Sequence, residues 1–300
     1  MRNEKYSLSL HKILREASKF MRIMRRYLIA ISALLTLLSS CGGNKTKNTD
    51  DVADSLEVRD TVAADSLTEE ISEMPMPKAA DELFDDFIFN FAANKRLQME
   101  RIKFPLPNIN GEKKEMLSKD KWKMEYFFMR QGYYTLLFDN EKHMESVKDT
   151  GISHAVVEKI YFNTHSVIQY VFDRPRGAWM LMSIKTIPIA QSVNASFLEF
   201  YHHFVTDPQF QQESLGSTVH FVGPDPDDDF SMMEGIITPD TWEAFAPELP
   251  SKMIYNIIYG EAKKETNSKL FVLRGIANGQ ELEMTFKRKD GKWLLTKLAT

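Results

Sequence analysis

The second half of this 300-residue chain repeats a residue pattern that the first half contains. Five residues recur as the same residue types 114 positions later, between Phe286 and Leu295: Phe172, Arg174, Gly177, Trp179 and Leu181. A chance match of five identities at one offset is a poor explanation, so we interpret the pattern as an internal duplication. The fold is then restricted to two copies of one unit. In each copy apolar arms flank a polar centre with glycine, which predicts a β-hairpin.

Other apolar segments repeat at offsets between 113 and 121. Residues 84–91 and 197–204 share apolar positions at i, i+3, i+4 and i+7, which predicts one amphipathic helix per copy. Ser118 and Thr238 each precede a run that contains a tryptophan, and each is able to cap a second helix. Short β-rich runs predict strands at 102–107, 134–138 and 161–162 in copy one and at 219–224, 255–259 and 270–273 in copy two.

Each copy is therefore predicted to contain a helix, a short strand, a second helix and four strands that can pair antiparallel. This order indicates an α+β unit with helices packed on one face of a curved antiparallel sheet. The unit resembles the nuclear-transport-factor-2-like (NTF2-like) cone fold, and a cystatin-like unit is the alternative. We expect two tandem domains of this kind, at residues 81–190 and 191–300.

An apolar run near the start of the chain has the layout of a secretory signal peptide. Two arginines precede it, and it ends at Leu38-Ser39-Ser40-Cys41, which resembles the lipobox of bacterial lipoproteins. A membrane-spanning helix fits less well, because a crossing needs about 20 apolar residues and residues 27–40 offer only fourteen positions. The resemblance implies cleavage before Cys41, which is the only cysteine, and attachment of lipid to its thiol.

The N-terminal extension and signal peptide, residues 1–40, are expected to be removed, and translation starts at Met1, Met21 or Met24. This segment holds eight of the 38 Lys/Arg and two of the 42 Asp/Glu, so 30 basic and 40 acidic residues remain, a net charge of −10. A chain this acidic is not expected to bind nucleic acid.

Residues 41–80 are expected to form a disordered acidic tether. No aromatic residue occurs between Gly42 and Ala80, and nine acids face the single Arg59 between Asp50 and Glu73. So little apolar surface cannot offset the conformational entropy of an ordered chain. With the lipobox, the chain from Met24 on resembles a family of Gram-negative envelope lipoproteins of unassigned function that carry tandem NTF2-like domains. The resemblance implies a membrane attachment through Cys41. Gly42 stands where an Asp retains lipoproteins of enteric bacteria in the inner membrane, so we expect an outer-membrane location, with the protein facing the periplasm or the cell surface.

The NTF2-like resemblance also implies a pocket between the long helix and the concave sheet. Aromatic residues with a polar atom suit such a pocket, although plain core packing is the more common role of these residues. The expected ligand is a small hydrophobic molecule, or the partner is another envelope protein. The candidate lining residues are Trp122, Tyr126, Tyr134, Trp179, Trp242, Tyr255, Tyr259 and Trp293.

Catalytic and metal-binding signatures are weak in this sequence, and we predict no catalytic residue, cofactor or metal site. The nearest approach to an acid–base group in copy one is Asp173 with His165 and Tyr161, for which copy two has no equivalents. His203 and Asp207 have a spacing that two ligands on one helix could use, but a second ligand pair is missing. The acidic loop 223–229 departs from the hand-type calcium loop at its sixth and twelfth positions.

The sequence therefore favours a lipid-anchored binding or assembly module that is not an enzyme. Two alternatives remain open. One is a pocket enzyme of the isomerase or hydrolase type on the same cone fold, and the other is a structural partner that uses the surface between the two domains.

Overall fold

The computed structural model of the protein describes residues 78–225, 227–261 and 264–300. The leader at 1–40, Cys41 and the tether up to residue 77 lie outside the described residues, and so do the cleavage, lipidation and disorder predicted for them. Within the described part of the chain, none of the helices has the length and apolar character that a bilayer crossing requires.

The first half starts with two consecutive helices and continues mainly as β-strands. The apolar stripe of the first helix is fully buried, as its spacing predicts, and Asn94 begins the second helix by accepting a hydrogen bond from the Leu97 N–H at 2.9 Å. The elements are α1 (Phe84–Ala93), α2 (Lys95–Arg101), β1 (Leu106–Asn110), β2 (Lys113–Leu117), β3 (Tyr133–Phe138), α3 (Glu141–Met144), β4 (His154–Tyr161), β5 (Ser166–Asp173) and β6 (Met180–Pro188).

The second half repeats this order without the short helix after its third strand. Asp207 caps the second helix through hydrogen bonds from the Gln209 and Phe210 N–H groups, and Pro208 occupies the first helical position. The elements are α4 (Ala195–Thr206), α5 (Pro208–Glu213), β7 (Leu215–Asp225), β8 (Asp228–Ile237), β9 (Met253–Tyr259), β10 (Ser268–Gly275), β11 (Glu281–Lys289) and β12 (Lys292–Ala299).

The two halves exchange one strand each. The first sheet has the order β2-β1-β6-β5-β4-β9, and the second has the order β3-β10-β11-β12-β7-β8. Strand β3 of the first half therefore lies at the edge of the second sheet, and β9 of the second half completes the first sheet. Each of the two hydrophobic cores consequently contains residues from both halves.

The side chains of β3 show how an exchanged strand serves two cores. Leu136 and Phe138 point into the first core, whereas Leu137 points into the second, because successive side chains of a strand face opposite sides. Strand β9 does the same with Tyr255 on one side and Ile254 on the other. Both faces of each exchanged strand are buried, so neither half can keep its packing without the other.

The expectation of purely antiparallel sheets is wrong in part, because β1 runs parallel to β6 and β7 runs parallel to β12. In each half, the strand that follows the helix pair lies alongside the last strand of that half; this strand has five residues in β1 and eleven in β7. The predicted β-hairpins are confirmed: β11 and β12 pair antiparallel around Asp290 and Gly291, which both have positive φ, as do Arg176 and Gly177 between β5 and β6.

The predicted second helix of each copy, starting at Ser118 and at Thr238, is wrong. Only short 3₁₀ turns form there, and Trp122 has extended backbone angles. In the first half, the fully buried amide of Gln98 accepts hydrogen bonds from the Trp122 indole N–H and the Glu125 backbone N–H, both at 3.1 Å. These tertiary bonds replace the helical ones. Gln211 holds Trp242 in the same way, at 2.8 Å.

A buried polar group sits where the exchanged strands meet. The Glu158 carboxyl on β4 is fully buried and accepts hydrogen bonds from the side-chain amides of Asn256 on β9 at 2.9 Å and Gln169 on β5 at 3.0 Å. The Asn256 side-chain oxygen in turn accepts from the Leu137 N–H on β3 at 2.9 Å. One side chain thus ties β4, β9 and β3 together across the exchange. Burial raises the pKa of Glu158, although the amide hydrogen bonds and the charge of Lys269 oppose the rise.

Replacing Glu158 by glutamine is therefore expected to change how stability depends on pH. A carboxyl whose pKa rises above 4.5 on folding contributes stability that is complete at low pH and is lost as the pH rises through the folded-state pKa. Glu158→Gln does not titrate at this position, so the free energy of unfolding of the variant, relative to that of the wild type, should rise as the pH increases above 4.5. Urea unfolding at several pH values measures this, with exposed Glu243→Gln as control; parallel curves for Glu158→Gln and wild type would contradict it.

Candidate functional site

A groove of about 310 Å³ opens in the second half, between the helices α4 and α5 and the hairpin β11–β12. Its size is near the lower end of the range for small-molecule pockets, about 300 to 1,000 Å³. The residues that line it are Ser196, Phe200, Phe210, Glu213, Ser214, Arg288, Gly291, Lys292, Trp293 and Leu294.

Three aromatic rings form the walls of this groove. The Phe200 ring centroid lies 5.9 Å from that of Phe210 and 6.5 Å from that of Trp293. Trp293 is held in place because its indole N–H donates to the Ser196 hydroxyl at 3.2 Å, and only 5% of the residue is exposed. Phe200 on α4, Phe210 on α5 and Trp293 on β12 thus form an apolar surface that is already in place before a ligand binds.

Charged side chains surround the aromatic walls. Arg288 at the end of β11 carries its guanidinium carbon 5.9 Å from the Trp293 ring centroid, a cation–π distance. Lys292 follows the hairpin turn, and Glu213 ends α5, where its carboxylate accepts from the Gln209 side-chain amide at 2.9 Å. Two cations and one anion therefore line the groove, whereas the chain as a whole has more acidic than basic residues.

The equivalent place in the first half is filled. Ile102 pairs with Leu181 in the first half in the same way as Leu215 pairs with Leu295 in the second. Arg101 and Ser214, the residues directly before Ile102 and Leu215, therefore occupy equivalent positions. The Arg101 guanidinium forms an ion pair with Asp81 at 2.7 Å and donates to the Trp179 carbonyl at 3.4 Å. A serine has no side chain long enough for these contacts. The shorter side chain of Ser214 therefore contributes to the space of the groove in the second half.

The eight aromatic residues predicted to line a pocket are placed in different parts of the structure. Among them, Trp293 lines the groove, and Tyr259 lines a second, much smaller cavity. Tyr134, Trp179, Tyr255 and Tyr259 are buried in the first core and Trp242 in the second, while Trp122 and Tyr126 are partly buried. The set is thus divided between two cores, and the structure does not bring it together at one site.

The first half contains a polar cluster around Glu125. Its carboxylate accepts from the Lys159 ammonium at 3.2 Å, the Tyr170 hydroxyl at 2.8 Å and the Phe127 N–H at 3.1 Å. Burial, and then the neighbouring Glu125 carboxylate, raise the pKa of Tyr170 and also that of Tyr255 close by. Both phenols remain protonated at neutral pH. Because the carboxylate is already bonded to its own chain, we regard the cluster as structural.

The smaller cavity, of about 30 Å³, holds little more than a water molecule. Beside it, the buried Lys269 ammonium lies 2.7 Å from the Asp139 carboxylate and 2.6 Å from the Asn194 side-chain oxygen. Burial acts to raise the pKa of Asp139, but the hydrogen bond and the charge from Lys269 outweigh it, and the pKa is lowered. This ion pair joins β3 to β10 and the start of α4.

The acid–base group considered in copy one does not assemble. Asp173 lies 2.7 Å from the Nδ1 atom of His154, opposite it on β4, and not beside His165. His165 is exposed, with its Nδ1 atom 4.0 Å from Glu199. Among the described residues, no three His, Cys, Asp or Glu side chains are arranged to hold a metal ion.

His203 and Asp207, the pair with metal-ligand spacing, have other contacts in the structure. The His203 ring centroid lies 5.7 Å from that of Phe210, and the Asp207 carboxylate accepts the cap hydrogen bonds of α5. The helix cap therefore explains the Asp207 carboxylate without a metal.

Curved sheets with few helices define a mixed α+β protein of the NTF2-like type. A crystal structure of an NTF2-like protein from Bacteroides fragilis NCTC 9343 is 42% identical to this chain, with a TM-score of 0.67, and the match covers 75% of this chain and 98% of that one. The model of the family described as a domain of unknown function, DUF4348, matches residues 63–300. The chain therefore belongs to the DUF4348 family. Among curated proteins, none matches it.

Proposed function

We propose that this protein is a lipid-anchored envelope protein that binds a small ligand in the groove of its second half without transforming it. The observation that carries the proposal is the open, aromatic-walled groove at Ser214, in contrast to the same position in the first half, where Arg101 fills the space. Binding requires apolar surface, a concave shape and a few polar groups to orient the ligand, and the groove supplies all three.

The anchor and the domain arrangement are parts of the same proposal. The lipobox that ends at Cys41 supports attachment of the chain to the outer membrane, and the acidic tether to residue 80 supports a position at some distance from the lipid. We further propose that the tandem units at 81–190 and 191–300 are two NTF2-like domains that arose by duplication. The matching glutamine–tryptophan hydrogen bonds at Gln98 and Gln211 support this origin.

A binding role is favoured over catalysis because of the charged groups that the groove contains. Proton transfer needs an acid or base held within hydrogen-bond reach of a substrate atom. The Glu213 carboxylate is bonded back to its own helix, and the Arg288 guanidinium and the Lys292 ammonium offer only hydrogen-bond donors. The groove is therefore suited to holding and orienting a ligand.

Filling the groove should abolish binding. We expect Ser214→Arg to place a long side chain across the space, as Arg101 does in the first half, so that a ligand retained by the wild type is lost. Native mass spectrometry of the full chain, purified from membranes in detergent, measures the retained mass. Ser217→Arg is the matched control, because Ser217 lies three residues away and is exposed, and because the substitution adds the same charge. A ligand retained equally by Ser214→Arg would contradict binding at this groove.

A further inference from the structure

We infer that the ligand of this groove combines an anionic group with a flat apolar part. The inference rests on the proposed function, because it assigns a chemical class to the molecule bound at that site. Two features of the second half carry it: the charges at the rim and the geometry of the three rings.

The rim has an excess of positive charge. The residues that line the groove include two cations, Arg288 and Lys292, and one carboxylate, Glu213, although the chain as a whole has more acidic than basic residues; the Glu265 carboxylate, 4.0 Å from Arg288, is not among the lining residues. A guanidinium presents a planar set of N–H donors that matches a carboxylate, sulfonate or phosphate. The strand register pairs Arg288 with Trp293, so the guanidinium lies on the same face of the hairpin as the indole and would meet the anionic group there, whereas Lys292, paired with Lys289, lines the groove next to the turn.

Arg288 is available for such a group, whereas its counterpart in the first half is not. Arg174 occupies the equivalent position over Trp179, also at 5.9 Å, but it donates to the Thr150 carbonyl at 2.8 Å and the Gly177 carbonyl at 3.3 Å. Among the described residues, the nearest carboxylate to the Arg288 guanidinium is that of Glu265, at 4.0 Å, the outer limit of an ion pair. Its N–H groups therefore have unused hydrogen-bonding capacity.

The aromatic walls favour a flat apolar part in the ligand. The Phe200 ring is tilted against the rings of both Phe210 and Trp293, so a planar group can contact a ring face and a ring edge together. Arg288 lies beside the Trp293 ring, so the anionic end of a ligand would lie next to its apolar part. The modest volume of about 310 Å³ limits the ligand to a small molecule.

A matched pair of probes tests the inference on the full chain in detergent. 2-Naphthoate and 2-naphthamide have the same ring system and differ in charge, so their affinities by isothermal titration calorimetry isolate the anionic contribution. We expect naphthoate to bind the wild type about tenfold more tightly than naphthamide. In the double variant Arg288→Gln, Lys292→Gln, whose changed side chains are solvent-exposed, the ratio should fall to about one, because naphthoate loses more affinity than naphthamide does.

The possible results separate this inference from the proposed function. If naphthoate and naphthamide bind the wild type equally and neither binds Ser214→Arg, the groove is the binding site but its ligand need not be anionic, and the inference is wrong. If naphthoate binds Ser214→Arg as tightly as the wild type, the groove is not the binding site, and both the proposed function and the inferred ligand class are wrong. If neither probe binds the wild type at millimolar concentration, the inferred ligand class is wrong. A thermal unfolding curve of each variant, compared with Ser217→Arg, distinguishes a filled groove from a misfolded chain.

Discussion

Replacing Phe84 by alanine is expected to destabilise both halves of the protein together, lowering the free energy of unfolding by about 3–5 kcal/mol. Phe84 is completely buried, and its ring centroid lies 4.8 Å from that of Trp179 and 5.4 Å from that of Phe172. It also lies 6.3 Å from the ring centroid of Tyr259, which is on the exchanged strand β9. The cavity left by alanine therefore weakens the packing of a strand from the other half.

The strand exchange makes this loss cooperative. Strand β9 has one face in each core, so opening of the first core exposes β9 and removes its other face from the second core. Hydrogen exchange of the full chain measures the effect residue by residue. Amide protons of β11 and β12 in the second sheet should exchange faster in Phe84→Ala, by a factor similar to that of β5 and β6 in the first sheet.

The second half provides a matched control for this measurement. Phe197 on α4 occupies the position that Phe84 has on α1, and it is also fully buried. Its ring centroid lies 5.3 Å from that of Phe286 and 5.4 Å from that of Trp293. Phe197→Ala should accelerate exchange in the same two sheets. If each variant affected only the sheet of its own half, the exchanged strands would not couple the two cores, and the halves would be independent folding units.

The helix stripes and hairpins could be predicted from the sequence because they depend on local spacing. The stripe of Phe84 to Phe91 must be buried whatever it packs against, and a glycine in a polar centre between apolar arms favours a turn. The NTF2-like resemblance is confirmed at the level of the fold. The predicted helix at Ser118 is wrong because the Trp122 indole N–H and the Glu125 backbone N–H donate to Gln98, a partner that is distant in sequence.

The strand exchange could not be predicted, because two similar copies offer each strand two equivalent partners. Strand β4 could pair with β3 of its own half or with β9 of the other, and both strands are β-rich apolar runs. Two buried polar residues favour the pairing of β4 with β9, because the Asn256 side-chain amide donates to the Glu158 carboxyl only when these two strands are adjacent. Neither residue stands out in the sequence until its partner is known.

The groove was predicted only through Trp293. The signal that would have led to it is a difference between the copies: Arg101 and Ser214 align at the same offset as the helix stripes, and the change from a long to a short side chain creates space. A search for identities between repeats passes over such a position. Aligned positions that differ in side-chain size therefore point to this groove more directly than conspicuous aromatic residues do.

Replacing Cys41 by serine is expected to remove the protein from the outer membrane completely. The proposed lipid is held through the thiol of the only cysteine, and a serine hydroxyl does not accept it in that linkage. Each buried methylene of an acyl chain contributes about 0.8 kcal/mol to membrane binding, and one chain alone gives only marginal attachment. A chain with a net charge of −10 after cleavage has no electrostatic attraction to anionic lipid that would substitute for acyl chains.

Two measurements test the anchor, since the apolar leader of an uncleaved Cys41→Ser chain could still hold it at the inner membrane. Labelling with a fatty acid should fall to background, and the outer-membrane fraction should lose the protein. Ser40→Ala keeps a small residue before the cleavage site and serves as the matched control that remains labelled. Label retained by Cys41→Ser, or an unlabelled protein that stays in the outer membrane, would contradict thiol-linked lipid as the attachment, because the chain has no second thiol to carry it.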